Sequence, residues 1–482
     1  MLSWFRPLLL IAAAFGASWI GAIWYWRASN RIPATSDLVL YLLLLPLALL
    51  LVLWIGRKIH RSVTAGAAAA ATATPAAADA APADTAPPVG IAMLAASVRA
   101  PHGASPDELL AALADGAARP ELDNTLYDDY GFPIMTARIA DIDVDALRED
   151  MAPWLEARGI DPAVFNDEQW RALHAGSAVV QELAAALTEH PHLLEHEARL
   201  DTRTPSPLPL LQLLPLWSAA WPVAARNTAE QWLAHVVAQA GWPKERIATL
   251  AAAMPAAEAP ADVVAVLAAL LARVRAPAAS QNTSPAASTL ALVLACDSHL
   301  SEAGIDRLSG VGMLFAAQRP QGQMPGEGAA GLLLADAVQA ALLHPRDGEV
   351  LLRAVASAQL SNSADAAGRP DAAVLGQLAK DVLATSRCDS AAVLALSTDT
   401  DHRTGRVMET MGVLSNVVPQ LDATLDLVNV GAACGSCGLV TYLTALALAR
   451  QQVIERGGPV LCLGTLDPYR RDAALVAPPQ QS

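Results

Sequence analysis

The sequence predicts an α/β protein, a layered body of strands and helices carried behind a two-helix transmembrane hairpin. Three observations carry that expectation. Two uncharged stretches of membrane-spanning length stand at the N-terminus. Short apolar runs alternate with helical stretches through the C-terminal part of the chain. Between them, a strand ending in Asp297-Ser298 leads through a helix into the glycine-rich string P-G-E-G-A-A at 325–330, which opens another apolar run.

The hairpin comes first. Residues 7–26 and 38–56 are 20 and 19 residues without a charge, each long enough to cross about 30 Å of hydrocarbon at about 1.5 Å per residue. Trp24, Tyr25, Trp26 and Trp54 sit at the span ends, where aromatic rings favour the headgroup level. A cleaved signal peptide fits poorly, because the apolar run is too long and a second span follows it. Arg27 and Arg31 lie in the connecting loop, while Arg6, Arg57, Lys58 and Arg61 flank the pair. The basic flanks place both termini in the cytoplasm. The expected location is a bacterial inner membrane, crossed twice, with the soluble body cytoplasmic.

The anchor is expected to occupy 1–61 and an Ala/Pro/Thr-rich linker 62–88, whose composition builds no core. Structure resumes with the strand run VGIAMLAASV, followed by Ser105-Pro106-Asp107-Glu108, the signature of a helix start. Residues 142–275 read as a helix-rich segment dotted with Trp154, Trp170, Trp217, Trp221, Trp232 and Trp242. A loop of turn composition at 276–288 separates an N-terminal half, 89–275, from a C-terminal half, 289–482. In the latter, TLALVLACDS, GAAGLLLADA, AAVLALSTDT, LDLVNV, VLCLGT and AALVAP read as strands and 439–453 as a helix.

Composition excludes some partners and compartments. A net charge of −15 argues against nucleic acid, which calls for a basic patch. Five scattered cysteines are an odd number and fit reduced thiols rather than a secreted disulfide framework. No cofactor or metal is expected.

The segment 289–337 resembles the β-ketoacyl synthase branch of the thiolase-like superfamily, in which a strand ending in a D-S-like turn precedes a P-G-E-G-A-A strand. Gly322, Gly326 and Gly328 permit close turns, and Glu327 has backbone amides or an arginine as natural partners. Weaker similarity runs through STDTDHRTGRVMETMGVL and NVGAACGSCGL, and covers roughly residues 89–135 and 261–475. The resemblance implies a layered thiolase-like α/β body and dimerisation through a central strand. It also implies a nucleophilic cysteine on the turn before a helix at 261–274, with two histidines to polarise a thioester carbonyl.

Those residues are missing. No cysteine occurs before Cys296. Alignment on Gly405 and Glu409 puts Thr398 where the first histidine belongs, with His402 four residues late, between Asp401 and Arg403, where a solvated histidine in a polar turn is expected. Ala432 takes the place of the second histidine. Cys434 and Cys437, spaced C-x-x-C before a helix, admit three readings: small residues packing a tight turn, a redox pair whose helix start would lower a thiol pKa, or half of a zinc site.

Loss of all three positions points to a catalytically inactive binding or adaptor module with a protein partner. The plan of anchor, spacer and body also resembles, more loosely, the adaptors that load lipase effectors in bacterial type VI secretion, which implies an effector and a spike protein as partners. The alternative is an acyl-thioester-handling enzyme, or an inactive partner of a live synthase.

Overall fold

A computed structural model describes residues 90–199, 206–249, 262–276, 288–343, 348–366 and 372–479. The predicted spans and the linker lie outside the described residues; among those described, no helix is long and apolar enough to cross a membrane.

The first half of the sheet takes β1 (Ile91–Arg99), β4 (Leu211–Leu216), β5 (Ile247–Thr249), β6 (Leu290–Ser298) and β7 (Glu327–Ala335). It runs past the loop at 276–288 expected to divide the chain, because β6 and β7 complete the first set of five strands. The second half takes β8 (Leu351–Gln359), β9 (Ala395–Thr398), β10 (Leu427–Asn429), β11 (Val460–Gly464) and β12 (Arg470–Ala477). Within each half the spatial order is third, second, fourth, fifth, first: β5-β4-β6-β7-β1 and β10-β9-β11-β12-β8. The directions repeat as well. The third, second and fourth strands are parallel, and the fourth, fifth and first are antiparallel. The halves are therefore a topological duplication, hydrogen-bonded to each other where β1 meets β8. β2 (Glu121–Tyr127) and β3 (Pro133–Thr136) form a separate hairpin.

The helices are α1 (Pro106–Ala114), α2 (Val144–Glu156), α3 (Asp167–Ala185), α4 (His192–Arg199), α5 (Val223–Gln239), α6 (Val263–Arg275), α7 (Glu302–Gly310), α8 (Ala337–Leu343), α9 (Ala372–Thr385), α10 (Thr404–Asn416), α11 (Val430–Cys434) and α12 (Leu439–Arg456). Local chemistry sets their starts. Ser105 caps α1 by accepting from the Glu108 amide, and Asn166 with Gln169 closes a capping box on α3.

Alternation along the strands divides the core. Ile91, Met93, Val293, Leu332, Leu352 and Val476 face α6 and α12 in one cluster that both halves share. The opposite face of the first half packs on α2, α3 and α5, and that of the second on α9 and α10. The layering is helix, sheet, helix, sheet, helix. α12 is buried on nearly every side from Val440 to Arg450, as its place in the middle layer requires.

Residues 142–275 are not a purely helical insertion. They contribute β4 and β5, so the tryptophans pack against the sheet from α2, α3, α5 and the strand ends. Pro215 hides β4 in the sequence, because proline lacks a ladder donor. β5 pairs β4 only from Leu211 to Leu213, so Pro215 faces no partner there that would need its N–H. β8 was equally unannounced, since LLRAVASAQ alternates weakly.

Candidate functional site

The N-termini of α6 and α12 converge on the ends of β4, β6 and β9 and on the turn between β11 and β12. There they bound a cavity of about 360 Å³. Its polar wall consists of Asp262, Asp297, Asp399, Asp467, Arg470, Asp472 and Tyr442, and its apolar wall includes Leu216, Trp217, Val263 and Leu439.

All of these groups but Tyr442 have a partner within the fold. Asp262 caps α6, accepting from the Val264 amide at 3.1 Å. Arg470 bridges two carboxylates, at 2.9 Å to Asp262 and 3.1 Å to Asp472. Asp297 accepts from the Trp221 indole N–H at 3.1 Å and lies 3.6 Å from His299 Nε2. Burial works against charge on His299, but Asp297 outweighs it and raises the pKa. Asp399, just past β9, accepts from the Thr465 amide at 2.6 Å. Burial, with help from Asp472, pushes its carboxyl up to about 7 against that hydrogen bond. Burial also lifts Asp472 to about 6, with Arg470 opposing. Tyr442 is 4 % exposed, and its hydroxyl has no hydrogen-bond partner within the chain. Burial and then the surrounding carboxylates raise its pKa well above the phenolic range, so it stays a neutral hydroxyl.

The residues expected from the sequence fall in different places. The turn assigned to the nucleophile falls within 250–261, outside the described residues; Asp262 follows it directly and lines the cavity. Thr398 ends β9 with its hydroxyl committed to Thr400 at 2.7 Å, and Thr400 continues to Thr410 at 2.7 Å and Thr465 at 2.9 Å. Ala432 lies in α11, which the close approach of Gly431 to the Asp399 carbonyl presses against β9. His402 does not sit in a solvated turn. Its neighbours Asp401 and Arg403 are buried and bonded to each other at 2.7 Å. Its ring packs edge-on against Phe315 at 5.2 Å, away from the cavity lining.

The two motifs of the resemblance meet. The Gly326 amide donates to the Ser436 carbonyl at 3.1 Å, and the Ser436 amide to the Met324 carbonyl at 2.8 Å, locking the P-G-E-G-A-A entry onto the C-x-x-C turn. Gly435 and Gly438, at φ 70° and 52°, make that turn. Cys434 and Cys437 are free and buried. Burial pushes Cys434 up to about 12 and Cys437 well above its ordinary value, the opposite of a redox thiolate. The Cys437 thiol donates to the Asp297 carbonyl at 3.1 Å, so the pair packs the turn against β6. Glu327 takes both of its expected partners, the Arg171 guanidinium at 2.5 and 2.7 Å and the Ile139 amide at 2.8 Å.

Sequence reading missed Asp262, Asp399, Tyr442, Arg470 and Asp472 as a group, because they come from four separate stretches. A local signal existed for two of them: Asp399 directly follows Thr398, and Asp262 precedes the helix of the expected nucleophile.

No family model and no curated protein matches the sequence. Solved structures do. The oxazolomycin ketosynthase domain of Streptomyces albus JA3453 aligns with TM-score 0.50 and 13% identity over 82% of this chain and 75% of its own. The ketosynthase from module 6 of the bacillaene synthase of Bacillus subtilis 168 gives 0.51 and 13% over 81% and 72%. A type II polyketide synthase acyl-carrier protein in complex with its ketosynthase matches at 0.48 and 11%, over 81% and 100%. At such identities the likeness with the first two is one of fold: the body is a ketosynthase-like, thiolase-like α/β structure.

Proposed function

We propose that this chain is a non-catalytic, ketosynthase-like binding module held at the inner membrane by its N-terminal hairpin, with the body in the cytoplasm. One observation supports this above others: Asp262 and Asp399, the residues directly after the expected nucleophile turn and first histidine position, line a cavity walled by aspartates. Condensation needs a thiolate to carry the acyl group and donors to polarise its carbonyl. Asp262 at the start of α6 offers a second-rate acyl carrier, Thr398 has spent its hydroxyl on Thr400, and Ala432 has nothing to offer. Cys296 lines the cavity, but burial raises its thiol far above neutrality.

The partner in this reading is a protein: a lipase effector and spike protein of type VI secretion, or a live synthase, with a second copy of the chain as a further option. A second reading has one observation in its favour. A carboxyl titrating near neutrality inside a cavity, as Asp399 does, suits general acid–base work on a thioester.

One experiment separates the two. Membranes carrying the full-length chain are incubated with acetyl and malonyl thioesters, followed by intact-protein mass and released thiol. The expected result is a membrane-bound chain with no acyl increment, no thiol release and no decarboxylation. An increment on Cys296 or accelerated thiol release establishes an enzyme instead. Proteins then cross-linked to the chain identify the system, since an effector and an acyl carrier protein belong to different ones.

A further inference from the structure

We propose that the cavity between α6 and α12 binds a small organic cation, its ammonium group seated beside Tyr442 and Asp472 and its hydrocarbon part against Trp217. The inference goes beyond the proposed protein-binding role and assigns the cavity a ligand of its own.

One group in the wall has polar business that the fold leaves undone. The Tyr442 hydroxyl is buried without a partner, although the residue lines the cavity. Burying an unmatched polar group costs free energy. A wall built for packing alone would carry phenylalanine there, so the hydroxyl argues for a ligand, and its lone pairs can accept from an ammonium group.

Charge decides its sign. Five aspartates line the cavity, and even with Asp399 held largely protonated up to about neutral pH, four face a single guanidinium, Arg470, which is already shared between Asp262 and Asp472. The His299 ring, 3.6 Å behind Asp297 and with its pKa raised by that carboxylate, offsets at most one more charge. The N-termini of α6 and α12 work the other way, each offering about half a positive charge. Asp262 caps the first of these, so the remainder is too small to make the cavity attract an anion. Among the described residues no three carboxylate, histidine or cysteine groups gather closely enough to ligate a metal ion. Carboxylates spread around a cavity of this size suit a cation with a body of its own. The body has a surface to meet, because Trp217 and Trp221 lie with ring centroids 4.9 Å apart, and an indole face attracts an ammonium group as well as hydrocarbon.

The test titrates three six-carbon probes, hexylamine, hexanol and hexanoate, into the full-length chain by calorimetry. Hexylamine should bind saturably, and the alcohol and the acid at least about tenfold more weakly, the discrimination one charge-assisted hydrogen bond supplies. Tyr442→Phe removes only a hydroxyl the fold does not use. It should melt no lower than the parent while weakening hexylamine about tenfold. Asp472→Asn should weaken it as much; should that variant fail to fold, Tyr442→Phe decides. Hexanoate binding as tightly as hexylamine, no saturable amine binding, or an unchanged affinity in Tyr442→Phe each overturns the proposal. Amine binding that fails while thioesters stay inert removes this inference alone; acylation of the chain removes the non-catalytic reading and leaves the amine titration to stand by itself.

Discussion

Asp399 shows how one side chain can set a pH profile. Its carboxyl stays protonated to about pH 7 in the folded chain because ionising it would leave a buried charge with only Thr465 to solvate it. Unfolded, it titrates in the ordinary carboxylate range near 3.8. Between those values the folded state holds the extra proton, so its contribution to stability is complete below the unfolded value and is lost as pH rises to about 7. Asp472, raised to about 6, acts in the same direction. Urea unfolding should show stability falling by up to about 1.4 kcal/mol per pH unit for each group, from roughly pH 4 to about 7 for Asp399 and to about 6 for Asp472. Asp399→Asn keeps an acceptor for Thr465 and should flatten part of that slope; an unchanged slope would place the proton elsewhere. The sequence could align Thr398 with the expected histidine position. It could not show the buried carboxyl beside it, because the environment of Asp399 is supplied by β11 and β12, more than sixty residues away.

At the scale of elements, α12 ties the two halves together through polar as well as apolar contacts. β1 carries a bulge between Met93 and Ala95, where its pairing with β7 shifts register. Such a bulge frees carbonyls from the ladder. Arg450, buried on α12, donates to the Met93 and Leu94 carbonyls at 2.8 Å each. Arg450→Met keeps the length and removes both donors, so it should cost about 2–4 kcal/mol in chemical denaturation. A loss below about 1 kcal/mol would mean that other donors reach the bulge. Elements were legible in proportion to how well they announce themselves. β6, β7 and α12 are unbroken apolar runs with clean glycine or serine boundaries, and they fall where the sequence puts them. β4 hides behind Pro215, and β5 is only three residues long. Neither has a local pattern, and both exist because the strands beside them need partners.

The described body carries one five-strand arrangement twice, and the resemblance stated from the P-G-E-G-A-A string anticipated that architecture at 13% identity to structures of the same fold. The repeat is invisible in the sequence because each half fills the same plan with different residues: Asp297-Ser298 ends β6, whereas Gly464-Thr465 closes the equivalent strand β11. Because β6, β7, β11 and β12 all close their inner faces on the α6 and α12 layer, neither sheet has a core of its own on that side. The described body should therefore unfold in a single calorimetric transition, with the van't Hoff and calorimetric enthalpies in agreement; two resolved peaks would show that the halves are separable.

That shared layer also dictates an order of events during synthesis. A ribosome that has just released β7 has made a complete N-terminal sheet with Val293, Leu332 and Leu334 bare on its inner side, because the helix that covers them is encoded beyond residue 438. Until that stretch emerges, the nascent chain presents an apolar surface that the finished protein never shows. The interval between β7 and α12 is the period in which that surface is open to a chaperone.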